Sequence, residues 1–221
     1  MLTNANRWAV GWILMIGLFL TSVPPAYAQL DPATLAKAVE SIEQLDRMRS
    51  QLGSTLETRG EPPTQETMKE VCRPVGMQAK HLAQENGWQV RQIATKYRNP
   101  NHAPTTLHET MALAKFKQEP ELLGFWQREW LNDQTGTRYY RRINVETSCL
   151  ACHGDKGDRP QFIQDKYPDD HAYDFKVGDL RGMYAVFMPD VQQNLDNTLS
   201  LSTLPTTLPP TVLGDHSQLG N

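Results

Sequence analysis

Apolar residues recur every three or four positions between Asp31 and Gly53, a spacing typical of a helix with one buried face. Asp31 followed by Pro32 is typical of a helix N-cap and its first position, and Gly53 is a common helix stop. The sequence therefore predicts a first helix across this span. Its stripe consists of Leu35, Val39, Ile42, Leu45, Met48 and Leu52.

A second apolar stripe predicts a helix from about Gln65 to Asn86, ended by Gly87. Pro74 lies inside it and predicts a bend just after Cys72, because proline removes one backbone donor. The stripe consists of Met68, Cys72, Val75, Ala79 and Leu82, and residues 54–64 form a connection. Cys72 lies on the apolar face, which fits a buried core cysteine as well as a ligand.

The second half of the chain changes to the alternation of strands. Strands are predicted at about 88–94, 125–130, 138–145 and 183–188, with a turn at 132–136 and a helix at 105–117. Segments 97–104 and 154–180 are predicted as loops, with Asp169 and Asp170 in a turn. Helices followed by a short antiparallel sheet predict an α+β fold. Four aromatic residues are expected in the core: Trp88, Trp126, Trp130 and Phe187.

Residues 1–28 resemble a cleaved signal peptide, with Arg7, an apolar run from Ala9 to Val23 and the cleavage site Ala26-Tyr27-Ala28. The alternative is an uncleaved anchor, but the apolar run is shorter than the roughly 20 residues that span a bilayer. Export to the periplasm or thylakoid lumen follows. We expect an N-terminal helix and connection at 29–64, the main domain at 65–190 and a mobile tail at 191–221.

The charge of the mature chain limits its partners. The whole chain has 22 Lys and Arg against 25 Asp and Glu, and Arg7 is the only charged side chain in residues 1–28. The mature net charge is therefore 21 minus 25, or −4. This balance argues against nucleic acid and against an anionic membrane surface as partners. After signal cleavage no stable membrane anchor is expected.

Cys149-Leu150-Ala151-Cys152-His153 has the Cys-x-x-Cys-His spacing of a c-type haem attachment site. Two thiols one short turn apart can each add to a haem vinyl group, and the next imidazole can ligate the iron. The alternative is a redox-active dithiol, but the thioredoxin-like α/β pattern that usually carries one is missing. If Cys149 and Cys152 hold haem, the third cysteine, Cys72, has no partner for an intramolecular disulfide and is buried, reactive or a metal ligand.

Three segments resemble a family of PAS-like c-type haem domains: 90–104 (VRQIATKYRNPNHAP), 139–154 (YYRRINVETSCLACHG) and 166–186 (KYPDDHAYDFKVGDLRGMYAV). That family occurs as stand-alone exported cyanobacterial proteins and as sensor regions of bacterial signalling proteins. The resemblance covers about Gln65 to Met188. It implies a PAS-like sheet packed with helices around one covalent haem.

The family's second axial ligand is a cysteine thiolate from an early helix, and the matching residue here is Cys72. The resemblance therefore implies iron ligation by His153 and Cys72. Two departures from the family pattern stand out: Arg73-Pro74 replace small residues, and Tyr173-Asp174 replace a glycine expected before Phe175.

Other side chains compete for the second ligand position or are candidates to bind the haem propionates. The competing ligands are Met68, Met77, His81, His102, His108, Met183 and Met188. His81 is expected to face away from Cys72, because nine residues rotate an ideal helix by half a turn beyond whole turns. The propionate candidates are Arg91, Arg98, Tyr140, Arg141 and Arg142. At most one of Arg141 and Arg142 can face the haem, since neighbouring strand residues point to opposite sides.

A haem iron with two protein ligands has no free site for substrate, so we do not expect an enzyme. Thiolate ligation stabilises ferric iron and predicts a low reduction potential. The favoured role is electron transfer with an unidentified redox partner. The alternatives are a redox or gas sensor, in which Cys72 leaves the iron, and reduction of a small molecule at an open iron site. The first helix is expected to pack on its own domain rather than mediate a dimer.

Overall fold

The computed structural model describes residues 31–190, so the predicted signal peptide at 1–28 and tail at 191–221 lie outside the described residues. The helices are α1 (Pro32–Ser54), α2 (Gln65–Asn86), α3 (Leu107–Gln118), α4 (Leu150–His153) and α5 (Gln161–Lys166). The strands are β1 (Gln89–Ile93), β2 (Gly124–Leu131), β3 (Gln134–Asn144) and β4 (Leu180–Pro189). Among the described helices, none is long and apolar enough to cross a bilayer.

Local capping chemistry sets the ends of the two long helices. The Asp31 carboxylate accepts a hydrogen bond from the Thr34 backbone N–H at the start of α1. At the start of α2, Thr64 and Thr67 each accept the other's backbone N–H through their hydroxyl groups. Gly87 ends α2 with a φ of 65°, the left-handed conformation that glycine adopts without cost. Both predicted helices are confirmed, and α2 continues as one helix through Pro74.

The strands form one antiparallel sheet in the order β1-β4-β3-β2, which confirms the predicted α+β class. Strands β2 and β3 join through Asn132 and Asp133, whose φ angles of 50° and 60° fit a two-residue hairpin turn. The turn is shorter than predicted, since β3 resumes at Gln134. Strand β4 lies in the centre, so its backbone is hydrogen-bonded on both sides.

Two apolar clusters pack on opposite faces of the sheet. Tyr139 belongs to the cluster under α1, and its neighbour Tyr140 belongs to the cluster under α3, as the strand alternation requires. Helix α1 contributes Ala38, Ile42 and Leu45, and α3 contributes Ala112, Leu113 and Phe116. The apolar stripe of α1 therefore packs against its own domain, as expected from the sequence.

Two of the four aromatic residues predicted in the core are exposed. Trp88 and Phe187 are buried, but Trp126 and Trp130 expose 57% and 61% of their surface. The core prediction for these two tryptophans was wrong because β2 is the edge strand. The apolar cluster under α1 takes its sheet residues from the strands further in, so α1 leaves these two side chains uncovered.

The segment 154–180, predicted as a polar loop, contains short helical structure. A 3₁₀ turn forms at Lys156–Asp158, and α5 follows at Gln161–Lys166. Ile163 anchors α5, since its side chain is fully buried. The prediction missed α5 because one buried residue in six gives no helical periodicity to detect.

Gly182 allows the close approach of β4 to the end of β1. A Cβ atom there would lie 2.5 Å from the Ile93 carbonyl oxygen, whereas one at Gly76 would meet nothing within 4 Å. We expect Gly182→Ala to lower the free energy of unfolding by about 2 kcal/mol through backbone displacement. Gly76→Ala should leave it unchanged or raise it by up to about 1 kcal/mol, because alanine favours the helix.

Urea unfolding followed by circular dichroism measures both variants of the mature protein. Equal stability of Gly182→Ala and the wild type would contradict this account of the β1–β4 contact.

Candidate functional site

A cavity of about 280 Å³ brings the three cysteines and the motif histidine together. Cys72 comes from α2, while Cys149, Cys152 and His153 come from the turn and short helix that follow β3. The structure therefore brings Cys72 and the Cys-x-x-Cys-His motif to the same cavity.

The cavity lining combines apolar side chains with positive charge. The apolar members are Leu56, Pro63, Met68, Val71, Val75 and Ile143. Arg49, Arg98 and Arg181 supply the positive charge. His102 also lines the cavity, but burial lowers its pKa. Such a lining suits a ligand with a large apolar body and anionic groups.

Helix α1 fixes the start of the motif through an ion pair. Arg49 donates to the Glu146 carboxylate at 2.7 Å and approaches the Cys149 sulfur at 3.8 Å. The Ser50 hydroxyl donates to the same carboxylate. The Glu146 backbone N–H in turn donates to the Cys149 sulfur at 3.3 Å. The position of Cys149 thus depends on α1 as well as on its own turn.

His153 is held in one tautomer. Its Nδ1 atom lies 2.7 Å from the Ala172 carbonyl oxygen and 3.3 Å from the Arg98 guanidinium. A carbonyl only accepts and a guanidinium only donates, so the two contacts cannot both be hydrogen bonds, and the shorter one, to the carbonyl, places the proton on Nδ1. Nε2 is therefore left with a free lone pair, the arrangement found in metal-bound histidines. Burial lowers the pKa of His153 well below its usual range, and the charges of Arg181 and Arg98 add to this effect. The imidazole is neutral at pH 7, the form that binds metals.

Two of the three cavity thiols, those of Cys72 and Cys152, are protonated at neutral pH. Burial raises the pKa of Cys152 to about 11 and raises that of Cys72, while the charge of Arg98 partly opposes both shifts. Cys72 is nevertheless exposed, and its side chain lines the cavity. It is therefore not part of the packed core.

The buried carboxylate of Asp170 connects several segments that surround the cavity. The side chain of Asp170 is fully buried and pairs with Arg98 at 3.3 Å and Arg159 at 3.0 Å. Its other oxygen accepts the Ala172 backbone N–H at 2.8 Å, so the residue also forms the predicted turn. Arg98 donates further to the Cys152 carbonyl oxygen at 2.7 Å. Asp170 thereby links the loop after the motif to the motif itself.

Arg181, at the start of β4, was not identified from the sequence. It lines the cavity and donates to the Lys96 carbonyl oxygen at 3.2 Å. Burial and the nearby charge of Arg98 lower the pKa of Arg181 to about 10, so it stays charged at pH 7. One signal in the sequence was available, namely an arginine that opens an otherwise apolar strand.

Of the predicted propionate ligands, Arg98 lines the cavity, and Arg91 and Tyr140 lie outside its lining. Arg91 pairs with the buried carboxylate of Glu109 at 2.6 Å. The Tyr140 hydroxyl donates to Glu129 on the α3 side of the sheet. Both side chains are engaged by protein groups away from the cysteines.

Arg141 and Arg142 also lie outside the cavity lining. They point to opposite sides of the sheet, as the strand alternation predicts. Arg141 pairs with Glu43 of α1 at 2.8 Å, and Arg142 donates to the Phe116 carbonyl oxygen of α3. The partners of these long side chains lie on helices that pack against the sheet, and the periodicity of a strand does not identify them.

Two of the competing ligands line the cavity, Met68 and His102. Met183 and Met188 are fully buried in the core clusters, and Met77 is exposed. His81 pairs with Glu85 and His108 lies near Glu129, both half exposed and outside the cavity lining. The structure therefore leaves Met68 and His102 as rivals of Cys72.

We expect Asp170→Asn to lower the free energy of unfolding by about 3 kcal/mol, because it leaves two partly buried arginines without their countercharge. The adjacent Asp169 is exposed, and Asp169→Asn should change stability by less than about 0.5 kcal/mol. Urea denaturation of the two variants provides the comparison. Similar small changes in the free energy of unfolding of both variants would show that the ion pairs of Asp170 do not stabilise the segments around the cavity.

The family and one solved structure identify relatives of the chain. The family model described as Tll0287-like matches residues 27–189. A solved structure, the crystal structure of the cyanobacterial haem protein Tll0287, is 56% identical, with a TM-score of 0.66. The match covers 73% of this chain and 98% of that one. No curated protein matches the chain, and neither description above names an enzymatic reaction. The chain belongs to the Tll0287-like family.

Proposed function

We propose that this protein carries one haem c, bound covalently through Cys149 and Cys152, with His153 and Cys72 as the axial ligands. The observation that carries the proposal is the convergence of all four side chains on one cavity. The similarity to a structure described as a haem protein supports it. The sheet and helices around the cavity fit the proposed PAS-like architecture.

The residues present fit the chemistry of the group. Cys149 and Cys152 lie at the two ends of one short turn, and each thiol can add across a vinyl group to form a thioether. His153 offers Nε2, because Nδ1 is bonded to the Ala172 carbonyl oxygen. The apolar side chains of the lining would exclude water from a bound porphyrin, and the arginines would balance its carboxylates.

Cys72 would be the second iron ligand beside His153. It lines the cavity, has no disulfide partner and lies near Arg98 and Arg181, whose charges favour its thiolate form. Burial opposes ionisation, so binding to a metal ion supplies the compensating charge.

The proposed role is low-potential electron transfer in the periplasm or the thylakoid lumen, with a redox protein as partner. Bound haem supplies one-electron redox chemistry, and a thiolate ligand favours its oxidised state. If His153 and Cys72 both ligate the iron, the site would offer no place for substrate, so we propose no catalytic reaction.

One observation favours a redox or gas sensor as the second candidate. The pKa of Cys72 is raised by burial, so its thiolate is the less stable form without a metal bond. Met68 and His102 line the same cavity and are available as neutral replacements. Loss of Cys72 on reduction would then act as the signal.

Substitution of both motif cysteines tests the covalent bond. We expect Cys149→Ala or Cys152→Ala to weaken haem retention on a denaturing gel, and the double variant to abolish it, because each thioether is lost with its sulfur. The measurement is haem staining of protein matured in an exporting host. His153→Ala is the matched control and should keep the stain. Retention in the double variant equal to wild type would refute attachment at these residues.

Replacement of Cys72 tests the second ligand. Cys72→Ser should remove a low-spin thiolate-type signal from the ferric electron paramagnetic resonance spectrum while the haem stays attached. Met68→Leu, one helical turn away in the same lining, is the control and should leave that signal unchanged. A signal that survives Cys72→Ser would remove Cys72 as the ligand.

A further inference from the structure

Arg181 differs from the other arginines of the cavity because no described carboxylate forms an ion pair with it. Arg49 pairs with Asp46 and Glu146, and Arg98 pairs with Asp170. No described carboxylate lies within ion-pair distance of Arg181. Its guanidinium donates to the Lys96 carbonyl oxygen and lies over the face of the Phe175 ring, 5.5 Å from the ring centre.

Arg181 carries a charge that no described carboxylate pairs with directly, and the carboxylate of Asp170 acts on it only from beyond ion-pair distance. Arginine stays protonated in proteins, and burying a charge without a partner costs free energy. The nearby charge of Arg98 adds to that cost. The arrangement is favourable once negative charge enters the cavity, because low-dielectric surroundings strengthen the attraction.

A fixed positive charge beside a redox group acts on its two oxidation states unequally. The reduced state carries one positive charge fewer, so a neighbouring cation stabilises it relative to the oxidised state. Arg181 faces the cavity that holds Cys72, Cys149 and His153, and its charge interacts with those same side chains. The cation is therefore placed to act on whatever redox group those residues bind.

We propose that the positive charge of Arg181 raises the reduction potential of the haem in this cavity and partly offsets the effect of the thiolate. The inference rests on the proposed function. Arg49 and Arg98 are less suited to this role, because carboxylates offset their charges.

The test is potentiometric titration of Arg181→Gln in the mature haem protein. We expect the ferric-to-ferrous ratio at a fixed potential to rise about tenfold, which lowers the midpoint by about 59 mV for one electron. Arg181→Lys keeps the charge and should stay close to wild type. If the glutamine variant does not mature, Arg181→Met replaces it with the same expectation.

Arg128→Gln is the matched control for net charge. Arg128 lies on the edge strand β2, outside the cavity lining, and pairs with Asp190. Its removal should leave the midpoint unchanged. A wild-type midpoint in Arg181→Gln, or an equal drop in Arg181→Lys, would overturn the proposal, the second because shape rather than charge would then be responsible.

Haem content distinguishes a failure of the proposed function from a failure of the role proposed for Arg181. Wild-type protein without attached haem would refute the proposed function. Variants that carry wild-type amounts of haem with an unchanged potential would refute the role of Arg181 alone.

Discussion

The buried carboxylate of Asp170 holds together the parts of the chain that form the cavity. Arg98, from the loop after β1, and Arg159, from the loop after the motif, both pair with it. Arg98 then reaches the Cys152 carbonyl oxygen, and the Asp170 turn presents the Ala172 carbonyl oxygen to His153. The tautomer of the histidine and the position of the second cysteine thus depend on one buried ion cluster, as outer groups orient ligands in metal sites.

The charge balance of the cavity follows from this arrangement. Burial keeps His153 neutral and keeps Cys72 and Cys152 protonated, while the arginines in the lining remain positive. A cavity with excess positive charge and protonated thiols favours a ligand that brings negative groups and can react with or bind sulfur. A haem has its own carboxylates and an iron centre for thiolate and imidazole, so it satisfies both requirements.

The sequence predicted the parts of the structure that depend on local pattern. Both long helices follow from apolar periodicity and end signals, and the short sheet follows from alternation. The exposure of Trp126 and Trp130 could not be predicted, because alternation does not reveal which strand lies at the edge. The ligand motif was visible because its residues are adjacent. The roles of Asp170 and Arg181 were not visible in the sequence, since they arise from contacts between segments distant in the chain.

The most direct test of the central claim is the intact mass of the mature wild-type protein under denaturing conditions. Covalent attachment through Cys149 and Cys152 predicts a mass equal to the polypeptide plus one haem. A mass equal to the polypeptide alone, with all three thiols free to alkylate, would contradict it.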